Sequence, residues 1–377
     1  MQTQWKKILQ IFFFFIVFYS ILSAWMWWVA KTFPVQIPQS NAELYKGVTR
    51  EDNPWLEPWQ RWDTPQYQAI AQRGYLAFDT ALFNPPLYPL LMWLLAPLFQ
   101  NNDLASALFI SSLAFAGSVI VLYLLSTLEL DDETAAYRAP LYLTVFPAAI
   151  FLAAAYNESL YLFCVISCFY FIKRQLWVAA GLFAGLAAFT RLPGPLIIVP
   201  LVWAAWQAYR TGDKSSWLAP MIAGLGALLF PLYVWIYLKM SPIAIYTAQN
   251  KRGGYMTIPG RNILEAARRI FDGILVHENS IELLFTLFLV FMCFWIWKKL
   301  PRIYGIYSIT MALFFLARFG SPQPLVSMAR YTIEVFPLFL VLAMWGKNPW
   351  VNRLILYLSL LGLLYFAGQF ALWGWVG

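Results

Sequence analysis

Residues 6–31 read KKILQIFFFFIVFYSILSAWMWWVAK. Two lysines precede an apolar run from Ile8 to Ala30, about 23 residues long, which Trp25, Trp27 and Trp28 close. A membrane-crossing helix needs about 20 such residues. A secretory signal has an apolar core of only about 7–15 and ends in small residues. The stretch therefore reads as a retained first span with an aromatic belt at its far end.

The rest of the chain follows suit. Of 377 residues, 61% are hydrophobic and only 12% charged, and mean hydropathy is +0.61. A soluble domain carries about 25% charged residues, so this chain cannot build a water-facing surface. Further apolar runs lie near 104–128, 136–155, 159–172, 176–192, 195–209, 216–238, 281–297, 302–318, 332–346 and 354–376. The expected fold is an all-α polytopic membrane protein with about eleven transmembrane helices, forming a single integral membrane domain over 1–377. The Pro-rich apolar stretch from Pro85 to Phe99 is too short to cross and reads as an interfacial or re-entrant helix.

The net charge of +8 does not point to nucleic acid, because Lys and Arg sit at the ends of apolar runs and not in one stripe. That placement is topological and marks membrane lipids as the partner. With the N-terminus in the cytoplasm, the short inward loops hold Lys6/Lys7, Arg138, Lys173/Arg174, Arg210/Lys214, Lys298/Lys299/Arg302 and Lys347/Arg353. The short outward turns hold only Arg191, Arg318 and Arg330. One inward loop is discordant, with Glu129, Asp131, Asp132 and Glu133. Cys164, Cys168 and Cys293 all fall in apolar runs, with no His or acid near enough in sequence to complete a metal site, and read as packing residues.

Two longer segments on the outward side, 31–103 and 239–280, carry the charge, aromatics, Gly and Pro that the spans lack. The first holds six of the 18 acids between Lys31 and Thr80: Glu43, Glu51, Asp52, Glu57, Asp63 and Asp79. In Arg61-Trp62-Asp63-Thr64-Pro65, Pro65 suits the first position of a helix, Thr64 its N-cap and Gly74 its stop. Asp63 then falls just before the cap, where the helix dipole favours an ionised carboxylate. Tyr67, Ile70 and Ala71 share one face of this short amphipathic helix, expected to lie on the membrane or the bundle. Asp63 reads equally as a general base beside Trp62 or as a helix-start acid without chemistry.

Other polar residues interrupt the outward turns. Tyr156-Asn157-Glu158-Ser159 puts a carboxylate at membrane depth, where it needs a cavity and a partner. Arg191 could pair with Glu158 or join a site. Arg330 and Tyr331 precede Glu334 and Pro337, and the second loop adds Gln249, Lys251 and Arg252. Guanidinium groups at headgroup level suit phosphate; snorkelling is the bland alternative. His277, the only histidine, reads as a loop residue. No Gly-rich phosphate loop, His-Glu-x-x-His or Gly-x-Ser-x-Gly occurs, so the donor of any transferred group would be membrane-borne.

These residues resemble the glycosylphosphatidylinositol mannosyltransferase II family (PIG-V type) of the C-type (GT-C) glycosyltransferases. The matching pieces are Arg61-Trp62-Asp63 with Tyr67, Ile70-Ala71 and Gly74-Tyr75; Pro86 to Leu91; Tyr156-Asn157-Glu158; Gly185-Leu186-Ala187 with Thr190-Arg191; Ala248-Gln249; and Ser327 to Tyr331 with Phe336-Pro337. The chain departs from the pattern at Gln66-Tyr67, where relatives often carry His-Phe.

The resemblance implies a multi-spanning enzyme of a bacterial plasma membrane or an endoplasmic reticulum membrane. It would use a polyprenyl-phosphate hexose, expected to be mannose, on the non-cytoplasmic face. Asp63 would be the catalytic base, and Arg191, Arg330, Lys251 and Arg252 would hold the donor phosphate. Trp62, Tyr67, Asn157, Glu158, Gln249 and Tyr331 would contact substrate. No metal or cofactor is expected beyond the lipid co-substrate. The acceptor is left open among lipid, glycan and protein, and an accessory membrane subunit is a further partner to consider. The competing class is a lipid or solute transporter, which would place its charges nearer mid-membrane than these.

Overall fold

Each of the apolar runs is helical in the computed structural model, which describes residues 2–35, 44–251, 253–321 and 323–376. In chain order the helices begin with α1 (Gln2–Thr32), α2 (Thr64–Arg73), α3 (Leu87–Leu95), α4 (Asp103–Glu129), α5 (Glu133–Val145) and α6 (Ile150–Ala153). They continue with α7 (Glu158–Lys173), α8 (Trp177–Thr190), α9 (Ile198–Arg210), α10 (Leu218–Ile236), α11 (Ile243–Lys251) and α12 (Arg261–Phe271). The last five are α13 (Val276–Lys299), α14 (Arg302–Ala317), α15 (Met328–Glu334), α16 (Pro337–Trp345) and α17 (Pro349–Ala371). Two three-residue strands, β1 (Gly254–Met256) and β2 (Arg318–Gly320), pair antiparallel with Tyr255 opposite Phe319.

Five stretches are long and apolar enough to cross a membrane: Lys6–Thr32, Asp103–Glu129, Lys214–Ile236, Val276–Lys299 and Pro349–Ala371. Counting each bent pair as one span, α5 with Pro147–Ala153 (65°) and α15 with α16 (82°), gives seven. Eleven full-length spans are not reached among the described residues. The remaining runs fold as shorter helices, with α7, α8, α9 and α14 having 16, 14, 13 and 16 residues. The breaks fall at Pro147 and Pro337, which lack the N–H a continuing helix needs.

The chain forms two compact units. The first comprises Met1–Phe78, Leu87–Ile166 and Leu342–Val376; the second comprises Asp79–Pro86 and Ser167–Val341. In the first, α1 packs on α17, with the Trp25 indole donating to the Leu364 carbonyl at 3.0 Å. Gly117 lets α4 meet the Phe163 ring of α7, since a Cβ there would lie 2.8 Å from it. Lys7 pairs with Glu133 and Lys347 with Asp132 (3.7 Å), so residues assigned to inward loops gather at one end of this unit. Asp132 and Glu133, two of the four acids discordant in sequence, are the counter-charges of those lysines.

In the second unit α8 and α10 cross through a glycine seam. A Cβ on Gly226 would lie 2.4 Å from the Gly185 Cα, and one on Gly181 would lie 2.8 Å from the Ala219 carbonyl. Small residues allow this close backbone approach, which is how helices associate without a hydrophobic driving force. Just beyond α8, Gly194 folds the chain back onto it; a Cβ there would meet the Ala187 carbonyl oxygen at 2.2 Å. Arg191, which caps α8 in extended conformation, is held between those two features.

Candidate active site

The first unit places Asp63 at the start of α2. It is the N-cap itself, one residue earlier than Thr64, yet its side chain makes no capping hydrogen bond. Asp and Thr both serve as N-caps, so local sequence alone could not choose between them. Its backbone N–H donates to the Tyr156 hydroxyl at 3.1 Å, and the Gln66 amide donates to Oδ1 at 3.0 Å. The carboxylate is half-buried. The Gln66 amide thus orients the carboxylate, the Tyr156 hydroxyl anchors the backbone beneath it, and the helix end does not consume it.

Helix α2 does not lie on a membrane surface. Thr64, Pro65, Tyr67, Gln68, Ala69, Ile70 and Ala71 are all buried, so it is packed inside the unit, against α3 and α4. Tyr67 meets Tyr88 edge-on at 5.1 Å and Tyr156 at 6.3 Å. Tyr156, Asn157 and Glu158 are themselves buried, at the turn that starts α7. This brings Asp63, Gln66, Tyr67 and Tyr156 together in the first unit.

The two residues before Asp63 explain the local geometry. Arg61 is fully buried and donates to the Ala371 carbonyl (3.1 Å), the Glu57 carbonyl (2.6 Å) and the Glu57 carboxylate (2.8 Å). It ties the first loop to the C-terminal end of α17. Its guanidinium also lies 5.2 Å from the centre of the Trp373 ring. Trp62 adopts φ +52° and Trp373 φ +62°, and their rings lie 5.7 Å apart. A left-handed conformation costs an ordinary residue about 1–2 kcal/mol, and such strain gathers at functional sites. The indole N–H groups of both, and the Tyr45 hydroxyl against Trp373 (5.7 Å), are buried without a hydrogen-bond partner among the described residues. Trp373 was not legible as a site residue, because nothing local links residue 373 to residue 62.

The second unit holds the cations. Arg191 pairs with Glu334 at 2.9 Å, with side chains only 8% and 0% exposed. Tyr331 is buried, stacked on Phe315 at 4.4 Å and hydrogen-bonded by Arg318. Arg330 is half-buried, with its guanidinium 5.7 Å from the Tyr331 ring centre. Lys251 is exposed at the end of α11. Arg252, the Gln249 side chain and Glu43 lie outside the described residues. Glu282, inside the α13 run, was overlooked at the sequence level although a carboxylate in an apolar run signals a required partner. It accepts from the Ser327 and Ala329 amides at 2.9 and 3.1 Å.

The three cysteines are buried and unbridged. Among the described residues no three His, Cys, Asp or Glu side chains gather as a metal-ligand set.

The helical fold, with its apolar spans and an oriented acid at the head of a buried loop helix, is that of a multi-pass membrane protein. The same fold is present in ArnT from Cupriavidus metallidurans bound to undecaprenyl phosphate. The two match with a TM-score of 0.54 and 14% identity, over 95% of this chain and 68% of that one. The apo structure of that protein matches with a TM-score of 0.52 over 88% of this chain and 61% of that one, again at 14% identity. A family model described as mannosyltransferase (PIG-V) matches residues 12–218. The chain belongs to that family.

Among relatives, GPI alpha-1,6-mannosyltransferase 2 of Rattus norvegicus is 33% identical over 195 residues, covering 49% of this chain and 39% of the relative. The Mus musculus protein of the same name is 33% identical over 143 residues, covering 36% of this chain and 29% of the relative. The matched part therefore spans well under half the length of these relatives.

Proposed function

We propose that this chain is a membrane glycosyltransferase that moves mannose from a polyprenyl-phosphate donor to an acceptor hydroxyl on the non-cytoplasmic face. The observation that carries the reading is Asp63: a helix N-cap whose carboxylate does not cap but accepts from the Gln66 amide, while its backbone N–H donates to the Tyr156 hydroxyl. The family membership favours a transferase over a transporter, and the shared name of the relatives favours mannose.

In this reading Asp63 takes the proton of the acceptor hydroxyl as that oxygen attacks the anomeric carbon. The bond from the anomeric carbon to the phosphate oxygen breaks, the sugar inverts, and the polyprenyl phosphate leaves with the electron pair. Developing charge on that phosphate needs fixed cations. Arg330 is the principal candidate, with Lys251 and Arg252 from the second loop, while Arg191 acts through Glu334. Trp62, Trp373 and Tyr45 offer donors suited to sugar oxygens, and Tyr67, Asn157, Glu158, Gln249 and Tyr331 would line the substrate. A lipid phosphate leaving group needs no divalent metal in this scheme, so a chelator should leave the rate unchanged.

The test is transfer of radiolabelled mannose from polyprenyl-phosphate mannose to membrane lipid extract by purified wild type and Asp63→Asn. A general base contributes about 10²–10⁴ in rate. Asp63→Asn should lose at least about 10²-fold in turnover while binding polyprenyl phosphate as wild type does. A near-normal rate in Asp63→Asn would remove the assignment.

A further inference from the structure

The two buried acids of the second unit grip the same short helix from opposite ends. α15 starts at Ser327, which has φ +64° and makes no side-chain cap. A capping residue ordinarily has extended dihedrals and bonds the following amides through its own oxygen. Here Glu282, 1% exposed on α13, takes over that task from another helix: Oε1 accepts from the Ser327 amide and Oε2 from the Ala329 amide. At the other end Glu334 pairs with Arg191, and its carbonyl accepts from the Tyr307 hydroxyl at 2.9 Å. Arg330 sits between these anchors, directly after Ala329.

A carboxylate within an apolar span is costly and is retained where it has a task. A cap alone could be supplied by Ser327 in an ordinary conformation. A carboxylate brought from α13 does more, because it fixes the start of α15 relative to a spanning helix and so fixes where Arg330 emerges. From this geometry we infer that Glu282 is a positioning residue: it sets the placement of Arg330 toward the donor phosphate. The inference rests on the proposed transferase reading for the ligand's identity, and on the hydrogen bonds above for the mechanics.

The experiment measures equilibrium binding of polyprenyl phosphate, together with KM and kcat for polyprenyl-phosphate mannose. It uses wild type, Glu282→Gln, Arg330→Ala and the double variant, with thermal unfolding recorded for each. Glu282→Gln keeps the side-chain length but replaces one acceptor oxygen with an amide donor facing the α15 amides. The expected result is polyprenyl phosphate binding weakened about tenfold, the factor that corresponds to 1.4 kcal/mol. Donor KM should rise in parallel with little change in kcat.

The double variant should bind no more weakly than Arg330→Ala alone, since both changes act through one guanidinium. A merely structural role would lower the unfolding temperature and the active fraction without that non-additivity. Wild-type binding by Glu282→Gln, or losses that multiply in the double variant, would overturn the inference. If wild type transfers mannose but Glu282→Gln is indistinguishable from it, only the positioning role falls. If wild type neither binds polyprenyl phosphate nor transfers mannose, the transferase reading falls and takes this role with it.

Discussion

Replacing Arg191 alone should harm this protein more than replacing Arg191 and Glu334 together. The two charges lie 2.9 Å apart and are 8% and 0% exposed. At an effective dielectric of about 20 their attraction is about 6 kcal/mol, but desolvation costs several kcal/mol per ion and offsets most of it. The intact pair is therefore near neutral for stability, whereas removing one partner strands the other, at about 3–5 kcal/mol. For 377 residues that corresponds to roughly 4–6 °C in unfolding temperature. Arg191→Met and Glu334→Leu should each show this drop in thermal unfolding of purified protein. The double variant, with two apolar side chains of similar length, should recover most of it. Its mannose transfer should also recover beyond that of either single variant, because α15 is again held by packing and by Glu282. Costs of the two single changes that add in the double variant would refute this account and return Arg191 to direct phosphate binding.

Two further outcomes can be checked separately. Arg61→Ala should destabilise the protein by roughly 3–5 kcal/mol, because the buried guanidinium bridges Glu57 to the Ala371 carbonyl. Arg61→Lys should recover only part of that, since a single ammonium cannot reproduce the planar fork; thermal unfolding and proteolysis of the first loop would report both. In the second unit, Asp213 has its carboxyl held below the ordinary aspartate range by the Ser215 hydroxyl and then the Trp177 indole N–H. A depressed folded value means the contribution is complete above the unfolded aspartate range, near pH 4, and is lost as pH falls through the folded value. Asp213→Asn should flatten stability against pH in that acid window, and an unchanged acid limb would contradict it.

What the sequence made legible was whatever a local pattern encodes. Apolar runs became helices because hydrophobic length alone specifies them, and the breaks at Pro147 and Pro337 follow from a missing amide. The short helix after Asp63 was legible from its proline, its glycine stop and the spacing of Tyr67, Ile70 and Ala71; the meeting of Tyr67 with Tyr156 was not. Span number was not, because helices as short as the 13 residues of α9 depend on their neighbours rather than on their own length. Partners were least legible of all. Arg191 pairs with Glu334, a partner that lies far beyond any local spacing in the sequence.

The residues whose partners no local pattern names share a property. Arg61, Glu282 and Glu334 are buried polar groups whose partners come from distant segments, and each holds a segment that carries a candidate functional side chain. Arg61 fixes the loop two residues before Asp63; Glu282 and Glu334 fix the helix that carries Arg330. Burying a charge is costly unless it is paired or hydrogen-bonded, so an ionisable residue inside an apolar run predicts a partner even when spacing cannot name it. Polar groups of this kind specify register where apolar packing in a membrane is permissive. Such buried charges act as anchors, and the side chains on the segments they hold are the candidate reagents.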